Sequence, residues 1–293
     1  MIDVVTQLYN KLSPTTPHRF TMRRAIMMGP VELHRRRIML LAVAMLATLP
    51  RAFGQEQHVA PMAKNAHPSY EVATIKPTDP EDGHAGFHTI GQRLFIENQT
   101  MNGLIAFAYA VHPKQIVDAP EWFSKDHFDI KGVPDIEGEP NLQQQREMLQ
   151  KLLNDRFKLK FHRDKRDLSI FAITVAKGGP KLEASKSAPD SLLDQTRSNN
   201  GPQQTWKLTN NSMADFAQLL GYLLDRPVVN ETGLKGKFDF DLSWTVDGSL
   251  SDDPKAPPGL FTAIQEQLGL KVEGTRGPAD VLVMEHVERP SAD

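Results

Sequence analysis

The sequence predicts an α+β fold of two tandem β-α-β-β-α-β-β units, each with a mostly antiparallel sheet covered by helices on one face. Strict alternation over residues 238–244 predicts a strand. Phe238, Phe240, Leu242 and Trp244 form its buried face, and Asp239, Asp241 and Ser243 its wet one. Apolar residues spaced three and four apart predict amphipathic helices after Thr100 and Ser212. The chain also resembles itself. At an offset of about 112, residues 94–130 lie over 206–242 without a gap, pairing Asn98 with Asn210, Met101 with Met213 and Val117 with Val229. The same offset lays Phe128, Asp129 and Ile130 on Phe240, Asp241 and Leu242.

The elements follow in order. Residues 34–37 are basic, 38–49 are almost wholly apolar, and small residues precede a cut ahead of Gln55, which is the layout of a secretory signal peptide. The apolar run is short for a membrane span, which needs about 20 residues. Residues 1–54 are therefore expected to be a signal peptide with an N-terminal extension, with retention as an uncleaved anchor the alternative. Translation from Met22, Met27 or Met28 would shorten the extension. No cysteine exists, which excludes disulfides, thiolate chemistry and a lipidated cysteine. Of 34 basic and 36 acidic residues, eight and two lie before Gln55, so the exported chain carries 26 and 34, a net of −8. Such a chain is a poor binder of phosphate backbones, and nucleic acid is not an expected partner.

Residues 55–69 read as a flexible tether. The first unit is expected over 70–180, a linker over 181–204 and the second unit over 205–290. A strand at 70–75 and a hairpin turning at Gly91 open the fold. Thr100 is a good N-cap, and Ser212 with Asp215 fits a capping box. Each helix leads to a short strand (115–118 or 227–230), a longer strand (127–132 or 237–244) and a second helix (142–157 or 260–268). Gly269 suits the end of the last helix. Two further strands close each unit.

Chemistry is sparsely marked. The nucleophile elbow, the phosphate-binding loop and the paired-histidine zinc motif are all missing from the sequence. His84 and His88 are four apart in a glycine-rich loop without a third ligand and read as solvated; neither a metal nor a cofactor is expected. Asp239 and Asp241 share a strand face, which allows paired carboxylates for hydrolysis but is explained more simply by a solvated face. Trp122 and Phe123 have no aromatic counterpart at the offset positions Leu234 and Lys235. They are either anchors of the first core or, with Tyr109 and His112, a surface for a partner or ligand.

Residues 70–77, 153–163, 176–181, 227–242, 267–272 and 281–290 resemble a soil-associated protein family defined by a domain of unknown function. Some of its members carry the domain behind a membrane metallopeptidase of the beta-lactam-sensor type. That activity does not carry over, because this chain lacks the motif and spans it needs. Each unit is also faintly similar to the short N-terminal domains of secretins and TonB-dependent receptors, which are extracytoplasmic interaction modules. The expectation is a secreted or periplasmic binding module of the envelope, without a membrane span after cleavage, whose partner is an unknown envelope protein or small ligand. The rival is a hydrolase of an envelope or extracellular polymer, with carboxylates assembled between the units.

Overall fold

Alternation and helical spacing resolve into sixteen elements in a computed structural model that describes residues 59–79, 85–188, 191–246 and 256–290. The first are β1 (Tyr70–Pro77), β2 (Gly86–Ile90), β3 (Arg93–Thr100), α1 (Met101–Tyr109), β4 (Ile116–Val117), β5 (His127–Pro134), α2 (Leu142–Arg156) and β6 (Lys160–Val175). Then come β7 (Glu183–Ala184), β8 (Asp194–Asn200), β9 (Gln203–Asn211), α3 (Met213–Gly221), β10 (Val228–Asn230), β11 (Phe238–Thr245), α4 (Leu260–Leu268) and β12 (Leu270–His286). The expected signal peptide lies outside the described residues. No helix among them is long and apolar enough to cross a membrane.

Side chains set the helix starts. Thr100 accepts the Gly103 N–H, and reciprocal capping boxes join Asn141 to Gln144 and Ser212 to Asp215. Gly269, at φ 64°, ends α4 in the left-handed conformation that favours glycine.

Three four-stranded sheets result, ordered β1-β5-β3-β2, β10-β6-β12-β4 and β7-β11-β9-β8. The first packs its Ile75, Leu94, Ile96 and Ile130 against Leu104 and Ile105 of α1 and Leu149 and Leu153 of α2. In the third, Trp206, Leu208, Phe240 and Leu242 meet Phe216 and Leu220 of α3 and Ala263 and Ile264 of α4. The middle sheet ties the two cores together. β6 and β12 pair antiparallel from Val175↔Leu270 to Lys160↔His286; β10 adds in parallel to β6, and β4 in parallel to β12. Leu282 and Met284 of β12 thereby enter the first core, while Ile173 of β6 enters the second.

Several expectations change. The two closing strands of each unit are single long strands, because antiparallel pairing with each other supplies hydrogen-bond partners along their whole length. The expected linker carries β7 and β8. Part of the expected tether is docked: Met62 is 4% exposed, and its N–H donates to Glu139 O at 2.8 Å.

The structure departs from the offset of 112 after two asparagines. β3 and β9 each carry one extra residue against the neighbouring strand, a β-bulge at Asn98 and Asn210, with φ 51° and 59°. Asp129 accepts the Asn98 N–H and Asp239 the Asn210 N–H, both at 2.8 Å. Asp129 thus matches Asp239, not Asp241. The connection from β4 to β5 is two positions longer than that from β10 to β11, and it contains Trp122 and Phe123.

Candidate functional site

The lengthened connection folds as a 3-10 turn over Glu121–Ser124 after Pro120. Phe123 is 1% exposed and anchors the first core, which leaves Trp122 as the more exposed aromatic of the two. Trp122 is half-buried. Its ring meets Phe123 at 4.8 Å and Phe128 at 6.3 Å, edge to face. The Arg289 guanidinium lies 5.0 Å from the ring centroid, and its Nε donates to Asp126 Oδ2 at 2.8 Å.

Tyr109 packs against the same core as Trp122, and His112 follows it beyond the end of α1. Tyr109 sits edge-on to Phe161 at 4.8 Å; burial pushes its hydroxyl pKa up to about 12, with Arg163 opposing. His112 Nδ1 accepts the Lys114 N–H at 3.0 Å, and Gln115 Oε1 accepts the His112 N–H at 2.8 Å. Its ring also bonds to the backbone of Leu224, so it fastens the end of α1 to the segment after α3. Burial holds its pKa below the usual histidine value. No ring contact joins Trp122 to either residue among those described.

The carboxylates behave differently from simple solvated groups. Asp129 Oδ1 accepts from Thr78 Oγ1 as well as from Asn98, each at 2.8 Å. Asp239 also accepts the Lys186 N–H at 3.4 Å. The Asn210 amide, foremost, and the Ser185 hydroxyl hold the Asp239 pKa below the usual carboxylate value.

Asp239 and Asp241 both line an open groove of about 400 Å³ together with Lys181, Glu183, Lys207 and Gln267. Gln267 closes one end by accepting the Ser243 N–H at 2.9 Å and donating to the Ser243 carbonyl at 2.6 Å, as a neighbouring strand would. An acid catalyst needs a raised pKa, the opposite of what Asp239 has. His127 lies on the other sheet, in β5, with its Nδ1 3.1 Å from Lys125 O. Among the described residues no cluster of three or more metal-ligating side chains occurs. His84 lies outside them, and His88 stands in β2, stacked on Phe95 at 5.1 Å.

The sheet that holds this stack also carries two exposed apolar side chains. Val72 and Ile90, on β1 and β2, are 57% and 64% exposed. The signal was there, in apolar residues on both parities of short strands, but period two alone does not say which parity faces water.

A family model described as "Protein of unknown function (DUF3738)" matches residues 102–287. No curated protein and no solved structure matches the chain.

Proposed function

The chain belongs to the DUF3738 family, proteins of unknown function, and from that premise we propose that it is an exported, non-catalytic binding or interaction module of the cell envelope. One observation carries the reading: Asp239, one of the two carboxylates lining the groove, is committed to the fold, as Asp129 is in the first sheet. Asp129 and Asp239 each hold the amide of a bulged asparagine, and the donors around Asp239 favour its ionised form. Export is supported by the basic and apolar run over residues 35–54.

A tandem duplication belongs to the same proposal. The pairing Val228↔Phe171 has its counterpart in Ile116↔Leu282, and the bulges at Asn98 and Asn210 are alike. The orders β1-β5-β3-β2 and β7-β11-β9-β8 run in parallel sequence. On this reading each half lends its short strand to the other half's long one, so the halves act as a single body.

The test is to incubate the exported chain, from Gln55 onward, with purified peptidoglycan and with envelope polysaccharide, and to measure soluble fragments released. The proposal expects none above blank. Release that disappears in Asp241→Asn would replace it with the hydrolase reading.

A further inference from the structure

We propose that the outer face of the first sheet binds a protein segment whose apolar side chains are flanked by carboxylates; this rests on the binding-module reading above and names its surface and the chemistry of its partner. Residues paired across neighbouring strands point to the same side of a sheet. Ile75, Ile130, Ile96 and Phe87 form one such row, and it faces the core. The row beside it, Thr74, Lys131, Phe95 and His88, must then face outward. So must Val72 paired with Val133 and Ile90 paired with Arg93.

That outward face carries exposed apolar side chains on both edge strands, β1 and β2, beside basic ones on the central strands. Val72 and Ile90 are the two most exposed large hydrophobic residues among those described. The Phe95 ring stands parallel to the His88 ring, 5° apart, with the Lys131 ammonium 5.9 Å from its centroid. The third sheet shows that such a face can be built from polar side chains. Its corresponding rows are Ser198, Thr205 and Ser243, then Thr196, Lys207 and Asp241. Hydroxyls and charges suffice there. Side chains such as Val72 and Ile90 gain nothing in folding by pointing outward, and they gain burial when a partner covers them.

Charge decides the kind of partner. Arg93, Lys131 and Lys76 are exposed on or beside this face, in a chain whose net charge is −2. Its acids are less available. Asp129 is engaged by Thr78 and Asn98, and Glu97 lies 3.9 Å from His88. Cations interleaved with apolar side chains select a segment in which carboxylates and apolar residues are interleaved in turn. The four strands span about 14 Å, at about 4.8 Å per spacing, enough to seat one helix or one extended segment.

The test pans the exported chain against a phage-displayed library of random dodecapeptides. Selected peptides are expected to combine Asp or Glu with aliphatic or aromatic residues. Ile90→Asp and the double variant Arg93→Glu/Lys131→Glu should each weaken their binding at least about tenfold. Melting temperature should stay unchanged, because these side chains do not face the core. Peptides bound equally well by both variants would overturn this surface while leaving the binding-module reading intact. So would peptides without carboxylates. Vesicles containing phosphatidylglycerol supply a second arm: sedimentation with them that Ile90→Asp abolishes would assign the face to a membrane instead. A library that yields no binder also overturns the proposal, and only a parallel failure to bind envelope would take the module reading with it.

Discussion

Removal of the Asp239 carboxylate should destabilise the protein far more than removal of its neighbour Asp241. Asn210 is 3% exposed and sits at φ 59°, and its amide N–H points at Asp239 Oδ1 from 2.8 Å. Asp239→Ala leaves that donor unpartnered at a buried bulge and removes the acceptor for Lys186. An unsatisfied buried donor costs about 1–3 kcal/mol, and bonds to charged acceptors lie at the upper end of net values. About 2 kcal/mol is therefore expected, or roughly 4–8 °C in Tm for a chain of this size. Asp239→Asn keeps an acceptor oxygen and should lose about half as much. Asp241→Ala, on the exposed side, should stay within about 0.5 kcal/mol. The pH dependence has a defined sign. A folded-state pKa held below the unfolded one stabilises above the unfolded value, near 4, and that contribution fades as pH falls through the folded pKa. Asp239→Asn should accordingly flatten the acid limb of the stability profile. Urea denaturation of the exported chain measures all of this. Equal losses for Asp239→Ala and Asp241→Ala would refute the bulge-holding role.

Four further outcomes are expected. Gly132→Ala should cost about 2 kcal/mol, because a Cβ there would come 2.4 Å from the Tyr70 ring; a melting curve like that of wild type would contradict it. Phe240→Asp places a charge among Phe216, Leu242 and their neighbours, and should leave the second core unfolded by near-UV circular dichroism. Phe123→Ala should cost about 3–5 kcal/mol in urea, and Trp122→Ala less, with Arg289 losing its stacking partner; the reverse order would mean that the core assignment is wrong. His112 is held neutral by burial, between Lys114 and Asp225 and against Leu224, so its contribution is full above pH about 6.5 and declines as pH falls toward its lowered folded value. His112→Asn should remove that decline from a stability–pH series, and an unchanged series would refute the assignment.

Much of the architecture was legible because period and capping are local. The face of β11, the Ser212–Asp215 box and the glycine ending α4 all follow from residues within a few positions of one another. The long strands β6 and β12 were not legible as single elements. Their middles, residues 162–167 and 273–278, are charged or glycine- and proline-containing, and only the pairing of each with the other sustains them. The role of Asp129 and Asp239 was hidden for a related reason. A bulge depends on how two distant strands count against each other, and Asn98 and Asn210 look like ordinary polar strand residues. Phe123 could not be told apart from its sequence neighbour: a 3-10 turn sends adjacent side chains in different directions, so Trp122 stays half-buried while Phe123 enters the core.

A direct measurement of the proposed role is saturable binding of the fluorescently labelled exported chain to isolated envelope, with envelope digested by protease beforehand as the control. The binding-module reading, with a protein as partner, predicts a saturable isotherm that digestion abolishes and that Ile90→Asp weakens. Linear, unsaturable association that digestion leaves unchanged would contradict it.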